Sequence, residues 1–113
     1  MSPDEMFFAY RMLNPSVSDY GHCLFSSLAS SILWGTASSA AVAVETFTHT
    51  GDEPPSVGDI QCVTGEDGSA LALVRITSVR IVRGCDLPSL TPAIPSRNED
   101  SLYCLMDFRL IFQ

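Results

Sequence analysis

Residues 55–82 read PSVGDIQCVTGEDGSALALVRITSVRIV, and this stretch decides the fold. Two strand-like runs, 57–64 and 70–82, flank Gly65-Glu66-Asp67-Gly68, where two glycines and an Asp-Gly pair supply the positive φ of a tight reversal. The prediction is a β-hairpin whose second arm is unusually long. Within that arm Ala72, Val74 and Ile76 share one side, whereas Val79 and Ile81 fall on the opposite parity. Side chains alternate strictly along a strand, so the change of phase predicts a β-bulge near Thr77-Ser78, a device that curls a sheet. Gly58-Asp59 turns the chain into the first arm after Pro54-Pro55.

Outward from the hairpin the chain is punctuated by residue types with clear structural meaning. Ser2-Pro3-Asp4-Glu5 has the form of a helix start, with Ser2 as N-cap and Glu5 completing a capping box, and the helix is predicted to run to Leu13. Asn14-Pro15 ends it, because a residue before proline is pushed out of the α region. Leu24, Phe25, Leu28, Ile32 and Leu33 recur at helical steps and predict a second helix over 20–34, closed by Gly35 as C′ residue. After Thr36-Ala37-Ser38-Ser39, residues 40–48 read as a strand. The segment 84–98, with Pro88, Pro92 and Pro95, reads as an ordered loop. From Leu102 the run LYCLMDFRLIFQ alternates cleanly and predicts a closing strand with Leu102, Cys104, Met106, Phe108, Leu110 and Phe112 on one face.

With 113 residues, 46% of them apolar, the chain is expected to form one domain with its own core. The apolar runs are too short to cross a bilayer, which argues against a membrane partner. The N-terminal MSPDEMFF lacks a basic n-region, so a cytoplasmic location is expected. Cys23, Cys62, Cys85 and Cys104 show no CxxC spacing, and His22 and His49 are far apart. The expectation is reduced thiols, no metal and no cofactor. His22 beside Cys23 invites a nucleophile reading, but the pair falls at the start of the predicted second helix.

The net charge is −7 and there is no lysine; the cations are Arg11, Arg75, Arg80, Arg83, Arg97 and Arg109. A broad basic face for polyphosphate binding is thereby excluded. Arg75, Arg80 and Arg83 on the long strand leave only a narrow basic stripe.

The order of these parts, a helix carrying FFAYRMLNP, the segment ILWGTAS, the PSVGD hairpin and a last strand DFRLIF, resembles the ASCH domain family of the PUA-like superfamily. The resemblance spans nearly the whole chain. It implies an α+β fold, a small β-barrel with two N-terminal helices packed on it, and an RNA or nucleoside-sized ligand near the barrel mouth. Some members resemble amidohydrolases acting on acylated cytidine, and ribonuclease activity is associated with others. Their chemistry implies a lysine and a threonine after the helix-ending glycine, with a later glutamate. This chain departs from that pattern: Gly35 is followed at once by Thr36, no lysine exists to act as base, and an arginine does not give up its proton.

Three functions follow. The first is ligand binding at the helix-to-strand junction, with Trp34 stacking a base, Gly35, Thr36, Ser38 and Ser39 offering amides and hydroxyls, and Arg75 or Arg109 meeting a phosphate. The second is a hydrolase with substituted residues, Thr36 or Ser38 as nucleophile and Glu99 or Asp59 as base. The third is an interaction module, in which apolar surface around Leu87, Leu90 and Ile94 contacts a partner protein or a second copy in a homodimer.

Overall fold

The computed structural model describes all residues except Leu24, Asp52 and 88–99. Its elements are α1 (Pro3–Leu13), β1 (Gly21–His22), α2 (Ala29–Leu33), β2 (Ser39–Ala43), α3 (Val44–Thr50), β3 (Ile60–Thr64), β4 (Ala70–Arg83) and β5 (Leu102–Phe112). Short 3₁₀ turns precede α2 and follow β4. The fold is α+β, with one mixed sheet in the order β1-β3-β4-β5-β2. β1 and β2 form its two ends, and among the described residues no ladder joins them into a closed barrel.

The predicted hairpin is present as β3 and β4, antiparallel, with Gly68 at φ 81° in the turn. Its first arm begins at Ile60 rather than at residue 57, because Gly58, at φ 95°, and Asp59 form the entry turn. That turn is fastened by the Ser56 N–H donating to Asp59 Oδ2 at 2.8 Å and by backbone bonds of Gly58 and Asp59 to Ile76. The predicted bulge also stands: the β4–β5 register shifts between Ile76 and Ser78, and again between Leu73 and Val74. The first shift leaves Thr77 outward and returns Val79 to the cluster that Ile76 enters.

α1 forms as its sequence dictates. The Ser2 hydroxyl accepts from the Glu5 N–H at 3.2 Å and the Glu5 carboxylate accepts from the Ser2 N–H at 3.0 Å, closing the capping box. Met6, Phe7 and Tyr10 then pack on Ile60, Cys62 and Leu73. The opposite face of the sheet carries the main core, in which Phe25, Ile32 and Phe47 cover Val63, Val74, Ile76, Met106 and Phe108. A third cluster joins Leu87 to Ala41, Tyr103 and Leu105.

Three expectations are corrected. The second helix is not continuous over 20–34: Gly21–His22 pair in parallel with Gln61–Cys62, and only Ala29–Leu33 are α-helical. The pairing with β3 takes up the residues that periodicity assigned to the helix start, so His22 sits on a strand. The strand expected over 40–48 stops at Ala43, and Val44–Thr50 turn into α3, ending at Gly51 with φ 75°. Phe47 is thereby driven into the main core. Leu87, expected at a partner-facing patch, is buried; Leu90, Ile94 and Glu99 lie outside the described residues. Among the described residues no helix is long and apolar enough to cross a membrane.

Ile76 is fully buried in the main core beside the bulge, whereas Ile81, on the same strand, is half exposed. Ile76→Ala should destabilise the protein by about 2–5 kcal/mol, and Ile81→Ala by less than about 0.5 kcal/mol. Urea denaturation followed by circular dichroism measures both.

Candidate functional site

The junction after α2 has the geometry expected of a glycine-terminated helix. Gly35 adopts φ 75°, its N–H reaches the Ile32 carbonyl, and the Thr36 N–H reaches Ser31. This left-handed residue satisfies helix-end carbonyls that would otherwise lack donors. The Thr36 hydroxyl also donates to the Ser31 carbonyl at 3.1 Å, so it serves the helix end. The Ser38 carbonyl accepts from the Phe108 N–H. Among the described residues neither His22 nor any carboxylate is hydrogen-bonded to the hydroxyl of Thr36 or Ser38. Trp34, nominated to stack a base, is 84% exposed and stands in solvent.

Three of the predicted residues come together elsewhere, on the α1 side of the sheet. Arg75 lies directly opposite Arg109, and Ser39 opposite Asp107, which precedes Arg109 by two residues on the same face of β5. This polar strip separates the cluster under α1 from the one under Leu87. Asp107 is held by the Ser78 hydroxyl at 2.8 Å. Arg75 reaches the Tyr10 hydroxyl at 3.5 Å, while its Nε is buried without a hydrogen-bond partner.

Sequence reasoning missed two of the cavities that border the two-residue strand β1. The larger, about 590 Å³, lies where β1 begins and is bordered by Ser16, Ser18, Tyr20, Asp59 and Arg75. The smaller, about 250 Å³, has an apolar floor of Phe25, Phe47 and Met106 and a rim of His22, Glu53 and Asp59. Gly21, Asp59 and Gln61 border both. The Gln61 side-chain oxygen is buried and, like Arg75 Nε, has no hydrogen-bond partner. Strand alternation puts Gln61 on the main-core face, opposite Val74, and Arg75 on the α1 face, opposite Ile60. A single glutamine in a strand carries no sequence signature, so nothing singled it out in advance. Of the residues nominated for ligand binding, only Arg75 borders either cavity, and it borders the larger one; the candidate base Asp59 borders both.

The titratable groups nearby are not tuned as nucleophiles. Burial pushes the Cys23 thiol up to about 11 and raises Cys62 and Cys104 as well. A thiol must ionise to attack, so these three are held in their inert form at neutral pH. The Tyr20 hydroxyl donates to Asp4, and that bond holds its ionisation up to about 12. Among the described residues no group of His, Cys, Asp and Glu is placed to hold a metal.

Neither a family model nor a curated protein matches the sequence. Solved structures share the fold, among them the following two. One is the ASCH domain from Lactobacillus crispatus JV V101, 19% identical with a TM-score of 0.69, over 99% of this chain and 97% of that one. The other is a protein of Enterococcus faecalis V583 described under the DUF984 family, 12% identical with a TM-score of 0.75, over 96% of this chain and 87% of that one.

Cys85 is exposed, unlike Cys23, Cys62 and Cys104. At mildly alkaline pH a thiol-reactive dye should label one cysteine rapidly in the native protein and all four after denaturation. Mass spectrometry of the labelled peptides identifies the site, and rapid native labelling at Cys23 would contradict its raised ionisation.

Proposed function

We propose that this ASCH-like domain binds a nucleoside-sized ligand, a free nucleoside or one base of an RNA strand, in the smaller cavity beside β1. The observation that carries this reading is the Gln61 side-chain oxygen, buried without a partner at the edge of a cavity floored by Phe25, Phe47 and Met106. An unpaired buried amide oxygen costs about 1–3 kcal/mol, and a ligand N–H would recover that cost. The glutamine amide presents an acceptor and donors side by side, the pattern that pairs with the edge of a heterocyclic base. An aromatic and thioether floor suits the apolar face of such a base. The absence of lysine removes the group on which the resembling family's hydrolases rely. The acidic balance favours recognition by stacking and base-edge bonds over capture of a long phosphate chain.

A hydrolytic second reading rests on His22, Glu53 and Asp59, which border the same cavity. An imidazole carries both a proton-accepting and a proton-donating nitrogen, so His22 is placed to move a proton to or from a leaving group bound there. Release of free cytidine from acylated cytidine, abolished in His22→Ala, is the outcome that would favour it.

Calorimetric titration with the four ribonucleosides and short single-stranded RNAs tests the binding reading. At least one should saturate, and Gln61→Leu should weaken it by about tenfold or more, corresponding to 1.4 kcal/mol. The same substitution removes an unsatisfied polar atom while keeping the side chain's bulk, so the variant should be at least as stable as the parent. Trp34→Ala should leave affinity unchanged, because Trp34 does not border the cavity. Failure of every nucleoside and RNA to saturate, or an unchanged affinity in Gln61→Leu, would sink the proposal.

A further inference from the structure

Arg75 and Arg109 face each other across the β4–β5 ladder, on the same side of the sheet. Directly opposed residues in an antiparallel pair have Cβ atoms only about 4.5–5.5 Å apart, and like charges at that position repel. The usual remedy is a shared carboxylate, yet among the described residues neither arginine has an ion-pair partner. Arg75 Nε is in addition buried and unbonded. Among the described residues, a protein of net charge −7 thus holds two cations without an ion-pair partner at neighbouring positions, one of them bordering the larger cavity.

We propose that Arg75 and Arg109 together form an anion subsite that takes the phosphate of a nucleotide whose base lies in the smaller cavity. The inference rests on the base-binding reading for the identity of the ligand, but the arginine pair stands on its own geometry. The two cavities share Gly21, Asp59 and Gln61 as walls where β1 and β3 begin, so a ligand that passes round that end of the sheet reaches from the Gln61 amide on the main-core face to the Arg75 side chain on the α1 face. Guanidinium groups suit the task because their N–H donors match phosphate oxygens in pairs. The nearby carboxylates are engaged locally: Asp107 by the Ser78 hydroxyl, Asp59 by the Ser56 N–H and Asp19 by the Tyr20 N–H. They restrict the subsite to a compact anion aligned with the arginines, since a longer phosphate chain would run into their charge.

Calorimetry with nucleosides, the corresponding nucleoside monophosphates, inorganic phosphate and a dinucleotide tests the subsite. A monophosphate should bind about tenfold more tightly than its nucleoside at low salt, with the advantage shrinking as ionic strength rises. Arg109→Gln, at an exposed position, should erase that advantage while leaving nucleoside affinity unchanged. Arg75→Gln should do the same. A dinucleotide matching the monophosphate would assign the subsite to an internal phosphodiester, and a weaker dinucleotide to a terminal phosphate. Equal affinity for nucleoside and monophosphate, or an advantage that survives Arg109→Gln, would overturn the subsite and leave the base-binding reading intact. Phosphate or monophosphate binding that depends on Arg109, with no nucleoside binding, would uphold the subsite and overturn the base reading.

Discussion

The phase of β4 is the constraint on which the rest of the structure depends. This strand pairs with β3 on one side and β5 on the other, so every side chain it presents is assigned to one of two crowded faces. With strict alternation across Thr77, Ile76 and Val79 would point to opposite faces, and one of them would leave the main core. The bulge restores the alignment at the expense of one ladder position. On its upstream side the same strand sends Leu73 to α1 and Val74 to the main core, while the second irregularity beside them adjusts the register to β5. The facing of Arg75 and Arg109 is a by-product of this fixed register.

The elements encoded by local chemistry were legible in the sequence. Ser2 and Glu5 announce the start of α1, Asn14-Pro15 its end, Gly68 a hairpin, and the alternation from Leu102 a long strand. The phase error between Ile76 and Val79 predicted an irregularity at a particular pair of residues. These signals succeed because each is satisfied within a few residues or by one neighbouring strand.

The misread elements are those decided by distant partners. β1 has two residues and exists only because Gly21 and His22 pair with Gln61 and Cys62, far along the chain. The apolar steps at Phe25, Leu28 and Ile32 suit a long helix as well as a 3₁₀ turn followed by a short helix, and the pairing of β1 selects the second. In 44–50, Val44, Thr46, Phe47, Thr48 and Thr50 all favour strands by propensity, yet α3 forms, with Phe47 buried in the main core and Gly51 providing the left-handed end. The candidate site shows the same division. Ser39, Arg75 and Arg109 were recognisable as polar residues worth noting, but their juxtaposition follows from strand register, and Gln61 acquires significance only from the cavity walls around it.

Trp34 is the only tryptophan, and the fold leaves its indole in water. Its emission therefore begins in an environment close to that of an unfolded chain, and melting of the core changes that environment little. Intrinsic tryptophan fluorescence is consequently almost blind to the cooperative loss of the sheet. The same indole is a sensitive optical probe of whatever comes to lie against the surface at the end of α2, because covering it would shift an otherwise constant signal.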